Sequence, residues 1–531
     1  MNALNLPKLC GGDIELCNFF TGVSAFAGTG IRAALALLKK IEGVPGRERS
    51  YGAREYESRS SAGEGFDLQD WLRTYLPGNG GCVYIDLDHL EVCLPEVLSA
   101  RDHVAAWHAL LRIAARAQSA VNAELPRGEK VHVLANNSDG HGNSYGSHLD
   151  FLITRRAWDN VFYRRLQYLL FLAAYQVSSI VFAGQGKAGA ENGAPPCNYQ
   201  LSQRADFIEV LMGVQTTFNR PIVNSRDEPL CGREWGARLH CIFYDSTLCH
   251  GASFLKIGAL QIILAMIEAE QVNAQLIVED PVGAVRAWSR DPLLATRARM
   301  VSGKELTAVE LQLLFVEEAK AFVDRGGCEG IVPEAGKIVE LWADTLLKLK
   351  ARDFPALAPR LDWVLKLSIV ERAMKQRPEL NWESASVKHL DHQYSALDGG
   401  LFQTYERSGA VERIVSDADI AHFVNEPPEN TRAWARSRLL RLGEAEGCIE
   451  SVDWDEIVFR LKHVWPSRRI VSLANPLGFT KANTRFLETA TLDDALDVLG
   501  AQPAPVLDPA PVSEPRLATF PSRQTNTYGY D

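Results

Sequence analysis

Paired cysteines are missing from this chain. Its ten cysteines (Cys10, Cys17, Cys82, Cys93, Cys197, Cys231, Cys241, Cys249, Cys328 and Cys448) are scattered over 531 residues, and none forms a C-x-x-C pair. A thiolate zinc site needs such close pairs, and a disulfide framework belongs to much shorter chains, so reduced, mostly buried thiols are expected. Positive charge is also short: 56 Lys and Arg against 66 Asp and Glu leave a net charge of −10. Neutralising a phosphate backbone requires a Lys/Arg surplus, so general nucleic-acid binding is not expected. No basic stretch leads into an apolar run near the N-terminus, where Asp13 and Glu15 intervene, and no signal peptide is expected. A clean membrane-spanning run is absent as well. The uncharged stretch between Arg165 and Lys187 is long enough, but Gln167, Gln176, Ser178 and Ser179 dilute it. It reads as a buried helix over about 166–176 followed by a buried strand over about 177–183. These absences together point to a cytoplasmic protein without membrane or nucleic-acid partners. There is no internal repeat.

What remains is an ordinary globular balance, 46% hydrophobic and 23% charged residues, which excludes a disordered chain, a collagen-like fibre or a long coiled coil. Apolar alternation predicts strands near 13–20, 82–87, 130–135, 206–213 and 238–244. Helical spacing predicts helices over 103–119, 254–270, 307–324, 337–350 and 362–375. Strands and helices do not alternate regularly, so the fold class is α+β rather than a doubly wound sheet. A smaller unit follows over about 415–500, with a helix near 430–441, a strand near 455–460 and a helix near 492–499. From residue 501 the chain carries Pro503, Pro505, Pro509, Pro511, Pro515 and Pro521, a density that opposes both helix and sheet, so a disordered tail is expected.

Four polar clusters stand out. Asp13 and Glu15 lie two apart on a predicted strand and so share a face, which suits a metal platform or a solvated edge. Tyr84, Asp86 and Asp88 do the same if their strand continues, with His89, Glu91 and Glu96 close behind. Oxygen ligands at that density suit Mg²⁺, and one carboxylate could act as general base or nucleophile. The Gly-rich run from Asn136 to His148 could cradle an anion or be a turn-rich connection. Arg204, Arg226, Arg238 and His240 form the fourth cluster; the arginines suit phosphate contacts. Gly184, Gly186 and Gly189 match G-x-G-x-x-G, but the following Glu-Asn-Gly-Ala-Pro-Pro cannot open the helix that a dinucleotide site needs.

In this order, the segments GGDIEL (11–16), NGGCVYIDLDHLEVCLPE (79–96), NNSDGHGNSYGSH (136–148), QLSQRADFIEV (200–210), PIVNSRDEP (221–229), RLH (238–240), LDWVLKL (361–367), HLDHQYS (389–395) and NEPPENTRAWAR (425–436) resemble the family of the Pup ligase and the Pup deamidase/depupylase. Pup is a small prokaryotic ubiquitin-like protein. The resemblance implies a glutamine-synthetase-like catalytic domain (1–414), a curved antiparallel sheet packed with helices, then a small C-terminal domain (415–500) and the Pro-rich tail (501–531). It implies ATP and Mg²⁺ in the sheet's cradle. Asp86 would be the catalytic aspartate, and Asp13, Glu15, Tyr84, Glu91, His148 and His240 would surround metal. Arg204, Arg226, Arg238 and Trp454 would meet the nucleotide. An acidic Pup-like modifier would be the partner, with Arg432, Arg436, Arg438 and Arg441 as a basic helix face to receive it.

Within the family, QLSQRADFIEV, the LMGVQTTFNRP that follows and the Asp86–Glu91 spacing resemble the deamidase/depupylase branch. The polar stretch at 59–67 resembles a shortened form of that branch's mobile loop. The implied activity is ATP/Mg-dependent amide hydrolysis on the modifier. A ligase acting through a γ-glutamyl phosphate and a weakened tag-binding homologue are the alternatives. Departures from the family pattern are Asp13 in place of Glu, Cys82 in place of Arg, Leu149 in place of an acid, Leu94 in place of a small or hydroxyl residue, and Leu230 in place of His.

Overall fold

The computed structural model describes residues 6–23, 29–46, 72–462 and 467–503. The stretch at 59–67 and the tail beyond 503 lie outside the described residues. The first half of the chain builds an antiparallel sheet from β1 (Cys10–Thr21), β2 (Val44–Pro45), β3 (Thr74–Tyr75), β4 (Cys82–Asp86), β5 (His89–Cys93), β6 (Lys130–Leu134) and β7 (Ser147–Thr154). With β10 (Gly236–Cys241) these make eight strands in the order β10-β7-β1-β5-β4-β3-β2, and β6 pairs with the far end of β1. The long β1 therefore runs through the middle, with β5 on one edge and β7 then β6 on the other.

Alternation along each strand sorts the side chains. Ile14, Leu16, Val83, Ile85, Leu90 and Val92 point to one face and are fully buried in the main core. Helices α1 (Thr29–Leu38), α2 (Ala100–Glu124), α3 (Leu166–Ala183) and α4 (His250–Glu268) complete that core. The opposite face carries the polar residues described below. Helix α2 starts at Ser99, whose side chain accepts the amide of Asp102 at 2.9 Å. Replacing Ser99 by Ala is expected to lower stability by about 1 kcal/mol, read from the urea midpoint.

The strand predicted over 177–183 is instead the second half of α3. The β-branched residues Val177, Ile180 and Val181 suggest a strand, but the buried polar residues between them are satisfied in helical geometry. Ser178 donates to the Ala174 carbonyl (2.6 Å) and Ser179 to the Gln176 carbonyl (2.7 Å), while Gln312 donates to Ser178 (2.8 Å). Both α3 and α4 are long and apolar enough to cross a membrane, yet both are packed inside the molecule. The strand predicted over 206–213 forms as β8 (Ile208–Gly213), which among the described residues pairs with β9 (Arg220–Asn224) in a parallel ribbon apart from the large sheet. The later helices α5 (Ala308–Asp324), α6 (Ala335–Ala351) and α7 (Asp362–Gln376) match their predicted spans within about two residues.

The C-terminal unit packs α8 (Ala433–Glu446) on a sheet of β11 (Ile449–Val452), β12 (Glu456–Arg460), β13 (Arg468–Ser472) and β14 (Gln502–Pro503). Pro503 sits on the edge strand, where its missing N–H costs nothing. The core of this unit continues into Tyr75, Cys82, Tyr84 and Cys93 of the large sheet. Ile420 and Phe423 belong to the main core, so the second core begins near Ala433 rather than at 415.

The junction corrects the reading of the α8 arginines. Glu96 lies between Arg432 (2.7 Å) and Arg436 (2.5 Å), and all three are buried. Arg436 also donates to the Gly80 carbonyl (2.9 and 2.8 Å) and the Trp454 carbonyl (2.9 Å), and Arg432 to the carbonyls of Leu230 (2.9 Å) and Leu473 (3.0 Å). Arg438 pairs with Glu426 (2.7 Å) and stacks on Trp434 (4.2 Å), and Arg441 donates to the Pro77 (2.9 Å), Gly78 (3.0 Å) and Asn425 (2.8 Å) carbonyls. Arg432 and Arg436 therefore clamp the two units together instead of presenting charge to an acidic partner. Helical spacing alone could not show this, because a charged helix face looks the same whether it meets water or a buried carboxylate.

Candidate active site

The polar face of the large sheet is laid out in rows by strand register. One row runs His148–Asp13–Cys93–Cys82 across β7, β1, β5 and β4. The next runs Glu15–Glu91–Tyr84, and then His89 lies opposite Asp86. On the other side, His240 of β10 lies opposite Asp150 of β7, which pairs with Gly11. Three strands far apart in sequence thus deliver their same-face pairs (Asp13 and Glu15, Tyr84 and Asp86, Arg238 and His240) to one place.

At the centre, one carboxylate oxygen each from Glu15, Asp86 and Glu91 lies within 4.8 Å of the others. Tyr84 donates its hydroxyl to Glu91. Burial, then the negative charges of Asp13 and Glu15, push the Glu91 carboxyl well above its ordinary range. Crowded buried carboxylates of this kind need a proton or a cation, and hard oxygens in this number suit a divalent cation such as Mg²⁺. Asp13 and His148 Nδ1 are 2.9 Å apart. Burial opposes the His148 imidazolium, but Asp13 and Glu15 outweigh it and hold its pKa above the usual value. His240 Nδ1 meets Asp150 at 2.9 Å and is depressed, chiefly by burial. A side chain at Gly146 would run into both His148 and Glu15 and displace one of them from its place in the site.

Asp88 departs from the sequence reading. Strand β4 ends at Asp86, Leu87 turns the chain with φ +50°, and Asp88 lies in the hairpin turn beside His89 Nε2 at 3.3 Å. The Gly-rich run 136–148 arches over the site. The carbonyls of Ser144 and Tyr145 are taken up by Arg220 and Arg204, respectively. Arg204 is buried and also reaches Ser144 Oγ at 3.2 Å. Arg238 sits between Asp150 (3.3 Å) and Glu228 (2.9 Å), and Arg226 faces Glu228 at 3.8 Å. Trp454 reaches in from the C-terminal unit, edge-on to Tyr75 at 5.7 Å and stacked on Arg436 at 4.8 Å. Asp86, the six residues expected at metal, and Arg204, Arg226, Arg238 and Trp454 all line one cavity of about 1310 Å³. Arg432 touches its edge, and Arg436 and Arg438 do not line it. The G-x-G-x-x-G segment takes no part: Gly186 is buried and its carbonyl accepts from Lys366 at 2.7 Å.

The sequence of the Pup-ligase protein family matches residues 44–458 of this chain. The chain belongs to that family. It is 36% identical over 437 residues to a depupylase of Acidothermus cellulolyticus, covering 81% of this chain and 84% of the relative. It is 34% identical over 385 residues to a Pup deamidase/depupylase of Mycolicibacterium smegmatis (72% and 74% covered). A Pup–protein ligase of Acidimicrobium ferrooxidans is 36% identical over 407 residues (75% and 86% covered). Among solved structures, the complex between Pup and its ligase PafA superposes with TM-score 0.75 at 22% identity, covering 93% of this chain and 91% of that one. The α+β, glutamine-synthetase-like fold implied by the family resemblance is the fold they share.

Family membership makes the departures legible. Leu149 is fully buried and faces the helices, and the acid on the cavity side is Asp150, one residue further on. Asp150 was detectable in sequence, since it stands two residues after His148 on an alternating strand. Arg73 and Arg220 also line the cavity; Arg73, an isolated arginine, carried no sequence signal, and Arg220 was marked only by its place in the LMGVQTTFNRP segment. Cys82 is buried, which pushes its thiol up to about 12 although the nearby Arg73 guanidinium opposes the rise.

Proposed function

We propose that this chain hydrolyses an amide on a Pup-like protein modifier, either the side-chain amide of a C-terminal glutamine or the isopeptide bond from that side chain to a substrate lysine, with ATP and Mg²⁺ as bound cofactors. The observation that carries this is the carboxylate cluster of Glu15, Asp86 and Glu91 on the sheet face, in a chain related to proteins named depupylase. In the hydrolysis, water adds to the amide carbonyl and the C–N bond breaks. The released ammonia or lysine amine takes up a proton. Asp86 is placed to take the proton from water, or to attack the carbonyl itself. Glu15, Glu91, Asp13 and Tyr84 would hold Mg²⁺, with His148 and His240 around it; the cation would neutralise negative charge developing at the carbonyl and on the phosphates. Trp454 offers its ring to the base of the nucleotide, and Arg204, Arg226 and Arg238 offer guanidinium groups to phosphate. All ten cysteines are free, which fits a reducing cytoplasm.

The test uses the purified chain with ATP, Mg²⁺ and a Pup-tagged protein. Release of free tag without stoichiometric ATP consumption is the expected result. Attachment of tag to lysine with one ADP formed per bond would overturn it in favour of a ligase, a reading kept in view by the relative named Pup–protein ligase. Binding of tag with neither reaction would leave a tag-binding protein. Replacing Trp454 by Ala is expected to weaken ATP binding by about 10-fold, measured by titration calorimetry, because one aromatic face is lost while the phosphate contacts stay.

A further inference from the structure

The arginines of the cavity differ in what already occupies them. Arg226 and Arg238 face carboxylates, and Arg204 and Arg220 donate to backbone carbonyls. Arg73 is different. It enters the cavity just before β3, and its guanidinium lies over the Tyr84 ring, 4.1 Å from the centroid. The groups that face it are the thiols and phenols of Cys82, Tyr84, Tyr75 and Cys93, with no carboxylate among them. A half-buried guanidinium stacked on an aromatic ring, with no ion pair to a carboxylate among the described residues, is poorly compensated, and an anionic ligand is what would complete it.

Its position says which anion. On one side Arg73 is followed by Thr74 and Tyr75, and Tyr75 meets Trp454 edge-on. On the other it rests on Tyr84, whose hydroxyl donates to Glu91 of the carboxylate cluster. Arg73 therefore stands between the aromatic platform and the cluster, the stretch that a nucleotide's phosphates would cross. We propose that Arg73 binds the phosphoryl groups of the nucleotide, at the side of β4 where the chain carries the neutral, buried Cys82. This inference rests on the nucleotide-binding reading above. A planar guanidinium can donate two parallel bonds to phosphate while its face remains on Tyr84.

The test is equilibrium binding of ADP, ATP and adenosine to the full-length chain in Mg²⁺, with Arg73→Ala, Arg73→Gln and Arg73→Lys variants checked for folding by thermal melting. Arg73→Ala and Arg73→Gln are expected to weaken ADP and ATP binding by roughly 10- to 100-fold and adenosine binding by less than about 3-fold. Arg73→Lys, which keeps the charge and loses the fork, is expected to fall between them and the unaltered chain. Unchanged ADP affinity in Arg73→Gln overturns the assignment, and so does an equal loss for adenosine and ADP, which would make Arg73 a support for the aromatic platform. If Arg73→Ala does not fold, Arg73→Gln and Arg73→Lys carry the comparison. An unaltered chain that binds neither ADP nor ATP overturns the nucleotide reading itself, a result distinct from a failure confined to the Arg73 variants.

Discussion

Replacing Asp86 by Asn is expected to lower the rate of tag release by about 10²- to 10⁴-fold, with ATP affinity changed less than about 3-fold. Asp86 is the last residue of β4, opposite His89, at the point where the hairpin turns away from the sheet. That position leaves its carboxylate partly open to the cavity while Glu91, one row in, is buried. An asparagine side chain has nearly the same shape, so the hairpin and the Glu15–Glu91 pair stay in place. What is lost is the anionic oxygen that, in the proposed reaction, accepts a proton from water or attacks the amide carbonyl. Single-turnover release of tag from a conjugate, followed on a gel, checks this. An undiminished rate in Asp86→Asn would remove Asp86 from the chemistry and shift attention to Glu15. The expected insensitivity of ATP binding separates the proposed reacting group from the nucleotide contacts proposed for Trp454 and the arginines.

The second large effect is on stability. Replacing Glu96 by Ala is expected to destabilise the chain by about 3–5 kcal/mol, because it leaves the buried guanidinium groups of Arg432 and Arg436 without a counter-charge. Urea unfolding followed by fluorescence measures it, and Trp434 and Trp454 of the C-terminal unit report the local change. A loss below about 1 kcal/mol would mean that the carbonyls of Gly80, Leu230, Leu473 and Trp454 suffice to hold both arginines. The same pair gives a pH signature. Burial opposes the ionised Glu96, yet Arg436 and Arg432 outweigh it and hold the carboxyl down at about 2. A carboxyl depressed in the folded state adds stability that is fully present above its unfolded pKa, near 4.5. That stability is lost as pH falls from there through about 2. The unaltered chain should therefore lose more stability than Glu96→Ala on acidification over this window. Two units joined by this pair also share the cavity, since Trp454 lies beyond the clamp, so a weakened clamp should raise the ATP dissociation constant as well.

Much of the site was legible as local alternation. Asp13 and Glu15, Tyr84 and Asp86, and Arg238 and His240 are each two apart on strands, so alternation puts each pair on one face whichever strands pair. The segment 177–183 has strand-like composition and forms helix, where Ser178 and Ser179 donate to carbonyls of the preceding turn and Gln312 adds a bond to Ser178. Arg432 and Arg436 have the spacing of a solvated face and are buried, because Glu96, distant in sequence, meets both.

The sequence by itself determined strands β1, β4, β6, β8 and β10, the residue types of the cluster and, through the order of its motifs, the family. It did so because side-chain alternation and turn chemistry are properties of consecutive residues. Tertiary structure alone decided the strand order that sets His148 beside Asp13 and Glu91 beside Glu15. It alone showed that Arg432 and Arg436 serve the clamp and that Arg73 reaches the cavity. Those outcomes depend on which strand edges pair and which charges become buried together, and both are properties of the assembled sheet.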